Sequence, residues 1–151
     1  MDEMLQLAVD QGREILAAGC CLVTVAAEGE PRAAEAISHT EPAAEWTFTR
    51  WLDLPYIYRL LEENDGLMRP SDEHRASSKL PETKFAQPIR CWLAVSLTAL
   101  DGTQIGALQA FDNGPATFTN DDEAALVHLA QMISATVERI RLYRQATSTP
   151  T

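Results

Sequence analysis

An α+β fold is expected for this chain: a central antiparallel sheet of five or six strands, with helices over both faces. Three observations predict it. The candidate elements run helix, hairpin, helices, hairpin, helix, without the strand–helix–strand alternation that a parallel sheet needs. Two alternating apolar runs, Cys91 to Leu100 and Thr103 to Asp112, flank Asp101-Gly102, a pair that supplies the positive φ angles of a tight hairpin turn. Along the first run Leu93, Val95, Leu97 and Ala99 form one aliphatic set, while the opposite set, Ala94, Ser96 and Thr98, is small and only weakly polar. Both faces of the sheet are therefore covered, one by the terminal helices and the other by the central segment.

From Asp2 to Ala18, apolar residues at Leu5, Ala8, Val9, Gly12, Ile15 and Leu16 line one helical face at three-and-four spacing. Cys20 to Ala26 is apolar and β-branched. The turn-forming Glu28-Gly-Glu-Pro31 then separates it from a second strand, Arg32 to Ser38, which gives a first hairpin. Thr40 to Asn64 reads as helix, and Pro55 within it starts a new helix or kinks the old one. Asp65-Gly66 ends that segment. Leu67 to Pro70 is a short edge strand, since proline within a strand is confined mainly to edges. Ser71 caps a brief turn over residues 72–77, and residues 78–88, with two prolines and no lasting period, form a surface loop. After the second hairpin Asn113-Gly-Pro115 breaks the sheet. Thr119 or Asn120 then caps a helix running from Asp121 to about Gln145, with Asp122 or Glu123 reaching back in a capping box. Residues 1–146 form one domain on this reading, and 147–151 a frayed tail.

Composition narrows the partners. At 151 residues, with 46% hydrophobic residues, the chain is long enough for one domain with its own core. Its net charge of -10 repels nucleic-acid phosphates and anionic lipids, so neither is an expected partner. No apolar run is long enough to span a bilayer and Met1-Asp-Glu-Met4 is not a basic signal start, which makes the cytoplasm the expected location. Three cysteines, two of them adjacent, suit buried reduced thiols and not a disulfide framework.

One group of motifs points to a family. It comprises Trp92-Leu-Ala-Val-Ser-Leu-Thr98, Asp101-Gly102, Ile105-Gly-Ala-Leu-Gln-Ala-Phe-Asp112, Phe118-Thr-Asn-Asp-Asp-Glu123 and the helix from Leu126 to Tyr143. Together they resemble a GAF domain, the small regulatory module of bacterial sensor kinases, phosphodiesterases and phytochromes. The likeness spans roughly Leu5 to Tyr143. It is strongest to the GAF domains of bacterial two-component sensor histidine kinases, whose closing helix also carries Leu-Ala-Gln-Met, here Leu129 to Met132, and a Glu-Arg…Leu-Tyr ending, here Glu138 to Tyr143. The resemblance implies a non-catalytic sensory domain that binds a small molecule, dimerises, or does both, and relays a signal through its terminal helices to a kinase or other output module. No kinase machinery is legible: the chain has no Gly-rich nucleotide loop.

Subfamily motifs fit less well. Cyclic-nucleotide-binding members carry Asn-Lys, then Phe, then Asp-Glu; Phe118 and Asp122-Glu123 keep the spacing, but Asp112-Asn113 stands where Asn-Lys belongs. Phe118 is then a core anchor, and Asp122 and Glu123 serve the helix start. Phytochrome-like members attach a bilin through cysteine followed by histidine, and Cys91 is followed by Trp92, so no bilin is expected. Haem would need an axial histidine; His39, His74 and His128 each read as ordinary surface or strand-end residues, and no pair has metal-site spacing. The ligand stays unidentified. The alternative is a thiol-dependent enzyme similar to the free methionine sulfoxide reductases, which are single GAF domains with cysteine nucleophiles. The sequences around their reactive thiols do not appear here, and Cys91 beside Arg90 is the one candidate.

If a small molecule binds, its expected walls are aromatic with polar tips: Trp46, Trp51, Tyr56, Tyr58, Met68, His74, Phe85 and Trp92. Gln109, the lone polar residue of its strand, must face solvent, a pocket or a buried partner. On the last helix Leu126, Ala130, Ile133, Val137 and Ile140 step by four and three like a coiled-coil seam, and are the expected dimer and output surface. Leu129, Met132, Thr136 and Tyr143 form an adjacent stripe, and two stripes need two partners: the domain's own sheet, and either the opening helix or a second subunit.

Overall fold

The structure is a computed structural model, and it describes residues 1–69, 91–112 and 118–148. The expectations for residues 71–88, including His74 and Phe85, and for the Asn113-Gly-Pro115 break lie outside the described residues.

Among the described residues five strands form one fully antiparallel sheet: β1 (Cys20–Ala27), β2 (Glu30–His39), β3 (Leu67–Met68), β4 (Cys91–Thr98) and β5 (Gln104–Asp112), in the order β2-β1-β5-β4-β3. The two hairpins lie side by side through β1 and β5, with Leu22 opposite Gln109 and Val25 opposite Gly106. At Gly106 these central strands leave no room for a side chain, since a Cβ there would run into the Thr24 carbonyl oxygen. In the second hairpin Gly102 has φ +90°, as the Asp-Gly pair predicts, and Asp101 Oδ1 accepts the Thr103 N–H at 2.9 Å.

Helix α1 (Asp2–Leu16) buries Leu5, Ala8, Val9, Gly12 and Leu16, and Ala17, in the left-handed region, closes it. Helix α3 (Asn120–Ser148) starts at a reciprocal cap: Asp122 Oδ2 accepts the Thr119 N–H at 2.8 Å while Thr119 Oγ1 accepts the Asp122 N–H at 3.1 Å. It runs on to Ser148, past the boundary expected at residue 146. Both helices pack on one face of the sheet, α1 over β2 and β1 and α3 mainly over β4, and they meet at Gly12, where a Cβ would come within 3.0 Å of Leu129 and Cys21.

The other face is covered by a 3₁₀ helix (Ala43–Trp51) and by α2 (Leu54–Glu63); of the two outcomes expected at Pro55, a new helix or a kink, the structure has the new helix, and the segment before it is 3₁₀. Pro55 explains the break, because its ring would collide with the carbonyl four residues earlier, that of Trp51, where the first segment stops. Asp53 then caps the new helix by accepting the Tyr56 N–H at 3.2 Å.

The sheet thus separates two cores. Leu93, Val95, Leu97 and Leu108 pack with α1 and α3 on one side; Leu22, Trp92, Ala94 and Phe111 pack with Trp46, Phe48, Leu54, Ile57 and Leu61 on the other. The expected coiled-coil seam needs correction. Leu126, Ala130, Ile133 and Val137 are fully buried in the first core and only Ile140 is part-exposed, so the seam covers this domain's own sheet and cannot also meet a second subunit. The heptad spacing reports a buried face, which a helix on a sheet needs as much as a coiled coil does.

Candidate functional site

The candidate site lies on the face covered by the 3₁₀ helix and α2. Trp92 on β4 and Gln109 on β5 point to that side. In the antiparallel register Trp92 sits opposite Phe111 and Ala94 opposite Gln109, which makes Trp92 and Gln109 diagonal neighbours. Both are completely buried, and the Trp92 indole Nε1–H donates to Gln109 Oε1 at 3.0 Å. The indole nitrogen can only donate, so this bond fixes the amide orientation: the oxygen faces Trp92 and the nitrogen points away. Gln109 Nε2 then has no hydrogen-bond partner among the described residues. A buried amide N–H left in this way costs about 1–3 kcal/mol.

Around this pair the structure brings together some expected wall residues and disperses others. Met68, opposite Ala94 in the register, Trp46 and Trp92 share one packed cluster with Phe111, whose ring meets Phe48 edge-on at 5.3 Å. Tyr58 packs against this cluster. Its hydroxyl donates to the Pro31 carbonyl at 2.7 Å, and the Thr24 hydroxyl, 2.8 Å away, therefore donates to Tyr58. Burial holds the Tyr58 phenol above its usual range. Trp51 is not a wall: at 64% exposure it faces solvent, because the chain turns away at the end of the 3₁₀ helix. Tyr56 is half-buried beside Arg59, whose guanidinium lies 5.9 Å from its ring centroid, and it is not part of the packed cluster.

The thiols and histidines are also placed. Cys20 and Cys21 are buried on opposite faces of the sheet, and burial pushes both thiols up, Cys21 to about 12. Cys91 is buried and its Sγ accepts the Phe118 N–H at 3.2 Å. His128 is exposed on α3, and His39 closes β2 with Nδ1 3.1 Å from the Thr40 carbonyl. No metal-holding group of side chains occurs among the described residues.

In the stretch that begins α3 the residues singled out from sequence have structural roles: Phe118 packs against the first core, Asp122 caps the helix, and Glu123 is ion-paired with Arg69 at 3.2 Å. That last contact ties the chain just after β3 to the first turn of the closing helix. It was not anticipated from sequence, and neither was the Thr24–Tyr58–Pro31 bridge. Nor was the Trp92–Gln109 pair: the register set by the Asp101-Gly102 turn holds for Thr98 opposite Gln104 but shifts by one residue before Leu97 opposite Gly106, and without that bulge Gln109 would lie opposite Leu93.

Among solved structures the chain is similar to the cyanobacteriochrome TePixJ GAF domain, with a TM-score of 0.69 and 17% identity over 93% of this chain and 91% of that one. It is similar also to the GAF domain of a phosphoenolpyruvate-protein phosphotransferase from Coxiella burnetii, with a TM-score of 0.68 and 14% identity over 95% and 86% of the two chains. The corresponding Acinetobacter domain gives 0.67 and 14% over 93% and 84%. At such identities the likeness is one of fold. No curated protein matches the sequence. The GAF domain family model matches residues 1–137, and the chain belongs to that family.

Proposed function

We propose that this domain is a non-catalytic sensor in which a small molecule bearing a hydrogen-bond acceptor engages the Trp92–Gln109 face, and in which the terminal helices carry the response to an output module. The observation behind this reading is the buried, unpartnered Gln109 Nε2, a donor held in place by Trp92 and costly without an acceptor. The Arg69–Glu123 contact, which joins the chain leaving β3 to the first turn of α3, supports a route by which a ligand-induced shift at β3 reaches that helix. The output setting we favour is a two-component sensor histidine kinase, on the likeness of the closing helix to that family.

Dimerisation, if it accompanies this role, falls to the outward side of the helical layer, where Leu7 and Ile15 of α1 and Met132 and Tyr143 of α3 are all more than half exposed. Native mass spectrometry of the purified chain tests the ligand reading and the dimer together. A bound small molecule in the native chain, lost in Gln109→Leu with the fold retained by circular dichroism, is the expected result. The same bound mass in both proteins, or none in either, would overturn the assignment. Methionine sulfoxide turnover, measured with and without Cys91→Ser, is expected to be absent from both.

A further inference from the structure

A groove of about 330 Å³ lies along β2, between Gln6 of α1 and the 3₁₀ helix. Among the described strands β2 and β3 are the two outermost, so this groove and the chain leaving β3 are at opposite edges of the sheet. Leu22, Ile37 and the buried Trp46 give the groove an apolar floor, while its walls carry charge.

Three formally charged side chains line it among the described residues: Arg32 and Glu35 from β2, and Arg50 from the last turn of the 3₁₀ helix. The Arg32 side chain is only 22% exposed and joins the two walls. Its Nη1 meets Glu35 Oε2 at 3.0 Å, and its Nη2 donates to the Thr49 carbonyl at 2.9 Å, which sets the guanidinium against the backbone next to Arg50. Two of its five N–H groups are used in this way, and the rest can serve a ligand. Arg50 is exposed and makes no hydrogen bond or ion pair among the described residues. His39 also lines the groove. Its Nδ1 donates to the Thr40 carbonyl at 3.1 Å, so in the uncharged ring Nε2 is an acceptor.

The walls thus present two positive charges and one negative, a local positive surplus in a chain whose net charge is -10. A simple anion answers the arginines but meets Glu35 as a like charge, and a simple amine does the reverse. An α-amino dicarboxylate carries the complementary set, two carboxylates and one ammonium. Guanidinium groups suit carboxylates because their N–H groups form a planar fork, and Glu35 with His39 Nε2 supplies acceptors for the ammonium. The volume is at the small end of the range of about 300–1,000 Å³ for small-molecule sites, and the apolar floor receives a short methylene chain. We infer that the groove along β2 binds a free acidic amino acid, with its carboxylates on Arg32 and Arg50 and its ammonium on Glu35. This site is independent of the Trp92–Gln109 reading, although Leu22 on its floor stands opposite Gln109 in the register.

Titration calorimetry of the whole chain at low ionic strength tests this with L-glutamate, L-aspartate, glutarate, which lacks the ammonium, and L-glutamine, which lacks the second carboxylate. One of the two acidic amino acids is expected to bind at least tenfold tighter than glutarate and L-glutamine. Arg50→Ala, at an exposed position, is expected to weaken that binding tenfold or more with the circular dichroism spectrum unchanged. Glu35→Gln is expected to remove the advantage over glutarate. Gln109→Leu is expected to bind as the native chain does, whether or not the Trp92–Gln109 face takes a ligand of its own. Absence of binding by both acidic amino acids would overturn the inference. Glutarate binding as tightly as L-glutamate would reduce the effect to attraction of anions and overturn it too, as would undiminished binding to Arg50→Ala. Binding lost in a folded Gln109→Leu would move the amino acid to the Trp92–Gln109 face and equally overturn it.

Discussion

Trp92 and Gln109 form a completely buried hydrogen bond of 3.0 Å across the two strands of the second hairpin, and it leaves the Gln109 amide nitrogen without a partner among the described residues. In an apolar core such a half-satisfied pair is less favourable than two aliphatic side chains. Its presence in the middle of a central, fully buried part of the sheet is what distinguishes this face from ordinary packing.

Substitution of Gln109 separates the two halves of that arrangement. Gln109→Leu keeps the volume, removes the unpartnered amide N–H, and leaves the Trp92 indole N–H unpaired instead, so two terms of about 1–3 kcal/mol oppose each other. The net change in urea unfolding of the ligand-free protein is expected to stay below about 1 kcal/mol. Gln109→Ala adds a cavity and is expected to cost about 2–4 kcal/mol. A large loss in Gln109→Leu would mean that the amide nitrogen is well satisfied in solution.

The start of α3 offers a cleaner energetic test. Thr119 and Asp122 bond each other's backbone N–H groups reciprocally, at 3.1 and 2.8 Å. Thr119→Ala and Asp122→Ala are each expected to destabilise by about 1 kcal/mol, and the double variant by less than the sum because the two bonds support one turn. Strict additivity in chemical denaturation would show that the two caps act independently.

The sheet, its hairpins and its closing helix were legible because period-two alternation, Asp101-Gly102 and the Thr119–Asp122 cap each act within a few residues of chain. The site was less so. Trp51 and Trp46 look alike in sequence, yet Trp46 is buried and Trp51 exposed; the difference is set by where Pro55 breaks the helix and how the chain turns there. In the same way Leu126, Ala130, Ile133 and Val137 carry a pattern that suits either a partner helix or the domain's own sheet. Spacing identifies an apolar face but not what it meets, and only the tertiary packing of α3 on β4 decides that.

Gly106 should prove intolerant of a single methyl group. A Cβ at this position meets the Thr24 carbonyl, which is backbone of the neighbouring central strand and cannot rotate aside as a side chain would. Gly106→Ala is therefore expected to destabilise by about 3 kcal/mol, at the upper end of overpacking costs. Gly12→Ala provides the contrast: its methyl would press on the Leu129 and Cys21 side chains at 3.0 Å, but helix propensity returns about 1 kcal/mol, so the loss is expected to be smaller. Thermal melts of the two variants side by side would settle the order, and Gly106→Ala melting at or above Gly12→Ala would contradict it.

Alkaline pH should destabilise the domain through the two buried thiols of β1. Burial raises both Cys20 and Cys21 from an ordinary value of 9.0, Cys21 to about 12, so in the folded state both stay protonated well above the pH at which the unfolded chain releases its thiol protons. The unfolded state then binds fewer protons, and stability falls as pH rises. Their contribution is complete below about pH 8.5 and is lost from there upward, toward the raised folded-state values, at about 1.4 kcal/mol per pH unit for each thiol. Between pH 8 and pH 10 the native protein is expected to lose about 3 kcal/mol in urea unfolding from the two together. The Tyr58 phenol, also raised by burial, adds to the slope once pH passes about 10. Cys20→Ala combined with Cys21→Ala should flatten the pH 8–10 portion whatever its effect on absolute stability, because the slope depends only on proton uptake. An unchanged slope in the double variant would show that the two thiols ionise in the folded protein as readily as in the unfolded chain, and that the start of β1 is open to water in a way the complete burial of Cys20 and Cys21 excludes.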